Sequence, residues 1–253
     1  KHKEPYSNVG LAIEHRLALL KPLGIEQPLI TEPKLYLTEQ EVQQAKQLFQ
    51  QHQLDSTKKT VMISLLGSDV SKTFPLKEMT KMVDFIGQHY EVNLLFNYLP
   101  KQIEQAKTVF NALSEKTKSK VYFDLIGGDL RNFISLANEC DLIVGNDGGA
   151  INMSKALGKK SFIIFSPWID KNVWSTFEDG INHTSVHLKD YFPEKLGNLS
   201  NRKIKIKVDE FYSIFKFELF QTKLESFLNH HLIQQTENGS VVETNSNSNK
   251  PKN

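Results

Sequence analysis

The sequence predicts an α/β fold in which helices cover both faces of a parallel sheet. Short, continuously apolar runs recur along the chain, as they do in strands that are buried on both faces. Each run is followed by a longer segment with helix-start signals. This alternation indicates right-handed crossovers that bring the C-terminal ends of the strands to one edge of the sheet, where ligands bind.

Five strands are predicted from the apolar runs, at Val61–Leu66, Val92–Phe96, Val121–Phe123, Leu142–Val144 and Phe162–Phe165. Between them, helices are predicted from Pro75 to about His89, from Pro100 onward, from Leu130 to Asn138 and from Ala150 to Leu157. Each proline is placed at the first helical position, where its fixed φ is tolerated. Ahead of the first strand, Thr38 and Glu41 have capping-box spacing and begin a helix that reaches about Gln53.

The chain is predicted to divide into four parts. Residues 1–30 form a connector with a short helical patch at His15–Leu20, and residues 31–200 form the sheet domain. The strand pattern ends after Pro167. Residues 201–232 form a helical region that packs on the domain, with two helices expected within Val208–Leu228, and residues 233–253 form a disordered tail of low apolar content.

A basic stretch lies at the start of residues 201–232, with Arg202, Lys203, Lys205 and Lys207. Lysines that alternate with apolar residues are typical of a solvated edge strand, which is the structure that we expect here. A face turned toward an anionic lipid surface is the alternative.

Composition excludes some classes of protein. The 253 residues carry a formal net charge of +2, so bulk charge does not indicate a nucleic-acid partner. The single cysteine, Cys140, cannot form an intrachain disulfide and indicates the reducing cytoplasm. No apolar run approaches the roughly 18 residues of a membrane span. Since the first residue is Lys1 rather than Met, we expect either a fragment or a numbering that starts within a longer chain.

The loop after the first predicted strand, Gly67–Pro75, contains Lys72 and Thr73 where a P-loop has its Lys-Ser/Thr pair. Ser71 replaces the glycine that precedes the lysine in that motif, so a true P-loop is not expected. A lysine and hydroxyls beside a helix N-terminus are nevertheless suited to bind phosphate. From this loop alone, a solvated loop with a surface lysine is slightly favoured.

A stronger signal is the segment Gly145–Ala150, where a strand enters a turn with paired glycines and then a helix. Glycines allow a ligand to approach the backbone closely and leave helix N–H groups pointing outward. Asp147 is expected at the C-terminal edge of the strand, where it can orient a ligand, cap the helix or do both. Glu104, near the start of a helix, could accept a hydrogen bond from a ribose or interact with the helix dipole.

No Asp-x-Asp pair, dinucleotide-binding Gly-x-Gly-x-x-Gly or zinc-ligand spacing is present in the sequence. We therefore expect neither a metal nor a cofactor.

In order, these segments resemble the C-terminal half of glycosyltransferase family 9, the ADP-heptose:lipopolysaccharide heptosyltransferases, which have the two-Rossmann-domain GT-B architecture. Three stretches carry the resemblance over about residues 58 to 170, and it is looser at His15–Gly24 and Tyr212–Leu228. They are the Gly67–Pro75 loop, the segment Gly145–Leu157, which is similar to the family's Asn-Asp-x-Gly-x-x-His-x-x-x-Ala-Leu signature, and Phe165-Ser166-Pro167. The paired glycines and Phe-Ser-Pro-Trp look like a Bacteroidetes-type branch.

The resemblance implies a Rossmann-like donor-binding domain. Lys72, Ser68 and Ser71 would neutralise the donor diphosphate. Asp147, Gly148 and Gly149 would meet its phosphates and sugar. Glu104 would hold the ribose, and Gly128 would lie against the base. Asn152 stands where the family usually has His; an amide cannot carry the charge of an imidazolium, which puts heptose specificity in doubt.

The implied reaction is an inverting, metal-independent transfer of a sugar, with ADP-heptose as donor and a lipopolysaccharide core as acceptor. The resemblance places the base, an Asp, in an N-terminal domain that has no matching segment here, so we expect donor binding without transfer. It also implies a cytoplasmic protein, at the inner face of the inner membrane. Two alternatives are a non-catalytic nucleotide-binding module and another GT-B-like sugar-nucleotide enzyme.

Overall fold

A computed structural model of the chain describes residues 3, 4, 7, 9–25, 32–197 and 199–233. Its centre is a five-stranded parallel sheet with the strand order β2-β1-β3-β4-β5. The strands are β1 (Lys59–Ser64), β2 (Val92–Asn97), β3 (Leu142–Asn146), β4 (Lys160–Ile164) and β5 (His183–Val186). Because the chain goes from β1 to β2 on one side and then to β3 on the other, the topological switch point lies between β1 and β3.

Twelve α-helices occur in the described part of the chain. Those that precede β4 are α1 (Leu11–Leu17), α2 (Glu39–Gln51), α3 (Leu76–His89), α4 (Ile103–Ala112), α5 (Glu115–Lys118), α6 (Leu130–Glu139) and α7 (Gly149–Ala156). Those that follow β4 are α8 (Lys171–Trp174), α9 (Pro193–Leu196), α10 (Asn201–Ile206), α11 (Val208–Ile214) and α12 (Gln221–Leu232).

Side chains that alternate along the strands supply two hydrophobic cores, one on each face of the sheet. One core packs α3, α11 and α12 against the sheet and is rich in phenylalanine. The other packs α2, α6 and α7 against the opposite face. The predicted Rossmann-like α/β fold with helices on both faces is therefore confirmed.

Several predicted helix boundaries shift slightly. The Thr38–Glu41 capping box is present and begins α2. Pro75 is the N-cap residue of α3 rather than its first residue, and Pro100 begins a short 3₁₀ turn that leads into α4. The helical patch predicted at His15–Leu20 corresponds to α1 and a following 3₁₀ turn. The predicted tail lies outside the described residues, apart from Ile233.

The predicted strand at Val121–Phe123 is wrong. Val121 forms only an isolated bridge with Leu94, and Tyr122 donates one backbone hydrogen bond to Leu94 before the chain turns at Leu125. The fifth strand is instead β5, after the point where the strand pattern was expected to end. Its polar sequence, His-Thr-Ser-Val, gives no apolar run.

The predicted edge strand at Arg202–Lys207 is also wrong, because this stretch forms α10. The side chain of Ser200 accepts a hydrogen bond from the backbone N–H of Lys203 and caps the helix. Of the two isoleucines in the stretch, Ile204 is buried whereas Ile206 is 76% exposed. The two helices expected within Val208–Leu228 are present as α11 and α12.

We expect Phe220→Ala to lower the free energy of unfolding by about 3–5 kcal/mol, the usual cost of removing a buried phenylalanine ring. Phe220 is 1% exposed, and its ring contacts Phe74, Phe162 and Phe215. The control is Ile233→Ala, at a residue that is 56% exposed, which should change stability by less than about 0.5 kcal/mol. Urea unfolding measures both changes, and equal losses would contradict this account of the core.

Candidate functional site

A cavity of about 340 Å³ opens at the switch point between β1 and β3. Its walls come from the loops that follow β1, β2 and β3 and from the first turns of α6 and α7. This is the edge of an open α/β sheet at which ligands bind. Of the nine residues predicted to bind the donor, five line the cavity: Ser68, Gly128, Asp147, Gly148 and Gly149.

The amide of Asn146 holds the edge of the cavity together. Its Nδ2 donates to the carbonyl oxygens of Ser64 and Leu65, at 3.1 and 2.8 Å. Its Oδ1 accepts from the backbone N–H of Phe74 at 2.7 Å. The hydroxyl of Ser64 donates back to the Asn146 carbonyl at 2.9 Å. Asn146 is 1% exposed, so these bonds fix the ends of β1 and β3 and the return of the first loop in a dry environment.

Gly145 makes the close approach of the two strands possible. A Cβ atom at this position would lie 2.3 Å from the carbonyl oxygen of Ser64, and its φ of 133° is one that other residues rarely adopt. The first glycine of the segment Gly145–Ala150 is therefore required by the fold.

Gly148 and Gly149, by contrast, face open space. A Cβ at Gly148 would have no atom within 4 Å, and one at Gly149 would meet only the end of Met153, at 3.7 Å. Gly148 is the N-cap residue of α7 and provides no side-chain cap for it. The first turn of α7 therefore presents its N–H groups to the cavity without competition from a capping side chain.

Asp147 is the half-buried carboxylate at this turn. Burial raises its pKa, against the opposing effects of the ammonium groups of Lys72 and Lys155 and of the Gly148 N–H. No side-chain hydrogen bond caps α7, so Asp147 is not the N-cap of this helix. Its charge is costly in the absence of a partner, and such groups are common where a ligand is bound.

The loop after β1 is rigid around the carbonyl oxygen of Ser71. This oxygen accepts hydrogen bonds from Ser166 Oγ at 2.6 Å, Trp168 Nε1 at 3.0 Å and Tyr212 Oη at 3.3 Å. The Ser71 hydroxyl is bound to Asp69 Oδ1 at 2.6 Å. The sequence between Gly67 and Pro75 therefore forms a hydrogen-bonded loop, in which Ser68, Asp69 and Val70 are exposed to solvent.

Four predicted residues do not line the cavity: Ser71, Lys72, Glu104 and Asn152. The Lys72 ammonium lies 5.5 Å from the centroid of the Trp168 ring. Its charge also acts on Asp147, where it opposes the rise in pKa that burial causes. Glu104 is exposed and pairs with Lys107 at 3.0 Å. Asn152 lies on the other side of α7 and lines a separate cavity of about 330 Å³ with Lys155.

Sequence reasoning missed five polar residues that line the cavity: Ser64, Asn97, Tyr98, Gln102 and Asp129. Asn97 ends β2 and Tyr98 and Gln102 come shortly after it, and this position at the C-terminal end of a strand was the available signal. The Gln102 amide donates to the Gly67 carbonyl at 2.8 Å and accepts from the Leu99 N–H at 2.9 Å. Tyr98 donates its hydroxyl proton to the Phe123 carbonyl at 3.3 Å. The bond between Gln102 and Gly67 holds the loop after β2 against the loop after β1.

Among the residues that the structure describes, no group of three or more His, Cys, Asp or Glu side chains could hold a metal ion. Within the same residues, no helix is both long enough and apolar enough to cross a membrane.

Two solved structures share this fold. The glycosyl transferase family 9 protein from Veillonella parvula DSM 2008 matches with a TM-score of 0.67 and 16% identity, over 90% of this chain and 62% of that chain. The E. coli ADP-heptose lps heptosyltransferase II matches with a TM-score of 0.53 and 15% identity, over 74% of this chain and 55% of that chain. This chain thus spans less than two thirds of either protein. No curated protein matches the sequence.

These similarities in structure concern the fold, because the identities are low. Evidence on the family comes from the sequence itself. The model of the family "Glycosyltransferase family 9 (heptosyltransferase)" matches residues 1–191, which include every strand and the whole cavity wall. The chain therefore belongs to glycosyltransferase family 9.

Proposed function

We propose that this chain provides the donor-binding part of an inverting sugar transferase that uses a nucleoside-diphosphate sugar. The observation that carries the proposal is the cavity at the switch point, where two open glycines, an uncapped helix N-terminus and a half-buried carboxylate meet. ADP-heptose is the first donor to test, because the family includes heptosyltransferases and one structurally similar protein is named for that sugar. A lipopolysaccharide core is the corresponding acceptor.

The diphosphate is assigned to the first turn of α7. N–H groups at a helix N-terminus and the helix dipole favour an anion there, and Gly148 and Gly149 allow it to approach the backbone. Ser68, which lines the cavity, supplies a hydroxyl from the opposite loop. Lys72, in the same loop, supplies positive charge from outside the cavity wall. These groups stabilise the departing diphosphate without a metal ion or a cofactor.

The nucleoside is assigned to the part of the cavity next to β2. Gly128 and Tyr98 line this part. We assign to the Gln102 amide the ribose contact that the resemblance implied for Glu104. Gln102 lines the cavity, whereas Glu104 does not line it and pairs with Lys107. An amide can both donate to and accept from a ribose hydroxyl.

Asp147 lies between the phosphates and the sugar in this arrangement. It is suited to accept hydrogen bonds from sugar hydroxyls and is too close to the phosphates to act on a distant acceptor. We assign the base that deprotonates the acceptor to a group outside this cavity. Asn152 faces the other cavity, so it affects donor choice only indirectly.

A contact with the inner membrane would bring the enzyme to a lipid-linked acceptor at the cytoplasmic face. Residues 195–207 include five basic residues and no acidic one. Three of them, Lys195, Lys203 and Lys207, line an apolar groove of about 520 Å³ between α10 and α11 together with one acidic residue, Glu210. Beside this groove Leu199 is 39% exposed and Ile206 is 76% exposed. Exposed apolar groups within a basic surface are typical of proteins that bind anionic lipid.

We expect Gly148→Leu to weaken ADP binding at least about 100-fold, since the new side chain occupies the space assigned to the diphosphate. Stability should not change, because the space is empty and the extended backbone of Gly148 accepts any residue. The control is Ala112→Leu, on the exposed end of α4. Calorimetric titration with ADP, ADP-heptose, UDP-sugars and GDP-sugars, without added metal, measures the affinities. Binding of none of them would contradict the proposal.

We expect Asp147→Asn to stabilise the fold at neutral pH while it weakens binding of the donor sugar. Burial raises the pKa of Asp147 in the folded state above its unfolded value of about 3.9. Ionisation of the carboxylate therefore lowers the free energy of unfolding, and the loss is complete once the pH exceeds the folded-state pKa. The gain should therefore shrink as the pH falls from about 7.5 to about 4.5. Urea unfolding at both pH values measures it, with exposed Asp209→Asn as control. A gain that is independent of pH would contradict the assignment.

We expect Ile206→Glu to reduce sedimentation of the protein with phosphatidylglycerol-containing vesicles about tenfold or more, because it adds a negative charge and removes an apolar contact. Ile233→Glu, at another exposed isoleucine, is the matched control. Binding should be absent with pure phosphatidylcholine vesicles. Equal binding of both variants would place any membrane contact elsewhere.

A further inference from the structure

Two lysines that are distant in sequence meet at one tryptophan. The Nζ of Lys72 lies 5.5 Å from the centroid of the Trp168 ring, and the Nζ of Lys205 lies 4.3 Å from it. Lys72 comes from the loop after β1, and Lys205 comes from α10. Both distances are within the range of a cation–π interaction.

Neither ammonium group has a carboxylate within 4.0 Å among the residues that the structure describes. The carboxylate that both influence is Asp69, whose pKa is lowered mainly by the Ser71 hydroxyl and, to a smaller extent, by Lys205 and Lys72. Asp69 Oδ1 is already bound to the N–H and the hydroxyl of Ser71. The two ammonium groups therefore lie near a single carboxylate, which already binds Ser71. This leaves an excess of positive charge, which favours the binding of an anion.

The tryptophan that holds them is fixed in place. Its indole N–H donates to the Ser71 carbonyl, which also binds Ser166 and Tyr212. The same loop lines the cavity through Gly67 and Ser68, and Lys72 also acts on Asp147 on the opposite wall. Lys72 also packs directly behind this wall, because a Cβ atom added at Gly67 would lie 2.8 Å from the Lys72 Cβ. The positive excess therefore lies beside the wall of the cavity that the loop after β1 forms.

We propose that Lys205 is a further donor-binding residue, which together with Lys72 binds the sugar-side phosphate of a nucleoside diphosphate, while the Trp168 ring holds the two ammonium groups near each other. This inference rests on the proposed function. The lysine side chains lie over the ring in the described structure and have the length and rotamer freedom to extend to a phosphate. An anionic group of the acceptor has the same chemistry, and the experiment must distinguish the two sources.

The test is calorimetric titration of the protein and its Lys205→Ala variant with ADP and with AMP, which lacks the outer phosphate. We expect Lys205→Ala to weaken ADP binding about tenfold or more and to change AMP binding less than twofold, because a charge-assisted phosphate contact is lost only with ADP. Lys205→Arg should retain most of the affinity. The control is Lys77→Ala, at an exposed lysine of α3 that does not contact Trp168.

The outcomes separate this inference from the function on which it rests. If the unchanged protein binds no nucleotide, the proposed function fails. If it binds ADP and Lys205→Ala binds ADP equally well, the donor role of Lys205 is overturned, and its positive charge is left for an acceptor anion. If Lys205→Ala weakens ADP and AMP equally, the contact with the outer phosphate is overturned. A loss confined to ADP supports the proposal.

Discussion

The buried amide of Asn146 is the constraint on which the site depends. Its hydrogen bonds join the end of β1, the end of β3 and the start of α3 at one point. A parallel sheet brings these segments to the same edge, but it does not fix their separation. Asn146 does so, because each partner is a backbone group that would be left unsatisfied in a dry environment if it moved away. The switch-point cavity keeps its shape for this reason.

The carbonyl oxygen of Ser71 provides a second fixed point. Three donors from distant parts of the chain converge on it: Ser166, Trp168 and Tyr212. The loop after β1 is consequently tied to the loop after β4 and to α11. This explains why residues beyond the sheet domain matter for the cavity. The C-terminal helices hold one of its walls, and α10 brings Lys205 to the same tryptophan.

Prediction from sequence succeeded where one local pattern determines the outcome. Apolar runs gave four of the strands, and the strand–glycine–helix pattern placed Asp147, Gly148 and Gly149 at the cavity. It failed where contacts with residues distant in sequence determine the local structure. The polar sequence of β5 gave no apolar run, although three of its residues are buried at the end of the sheet. The alternating lysines of α10 gave a strand pattern, although Ser200 caps a helix there.

The cavity residues show the same limit. Gln102 and Glu104 begin the same helical segment, and only the phase of its first turn decides that Gln102 faces the cavity. On α7, helical periodicity puts Gly149, Ala150 and Met153 on one side and Asn152 on the other. No local sequence pattern could predict that Lys205 and Lys72 lie close together, because both contact a tryptophan that belongs to a third segment of the chain.

The position of these lysines has a consequence for binding. A direct ion pair between Lys72 and Asp147 would have to break before a diphosphate could enter between them, and a buried pair that loses one partner is costly to break. The structure avoids this cost, because Lys72 lies over the Trp168 ring at 5.5 Å and acts on Asp147 only at a distance. Asp147 therefore lines the cavity without a direct ion pair to Lys72, whose ammonium group lies outside the cavity wall. Binding of an anion at α7 then brings together charges that are already separated, rather than replacing an existing pair.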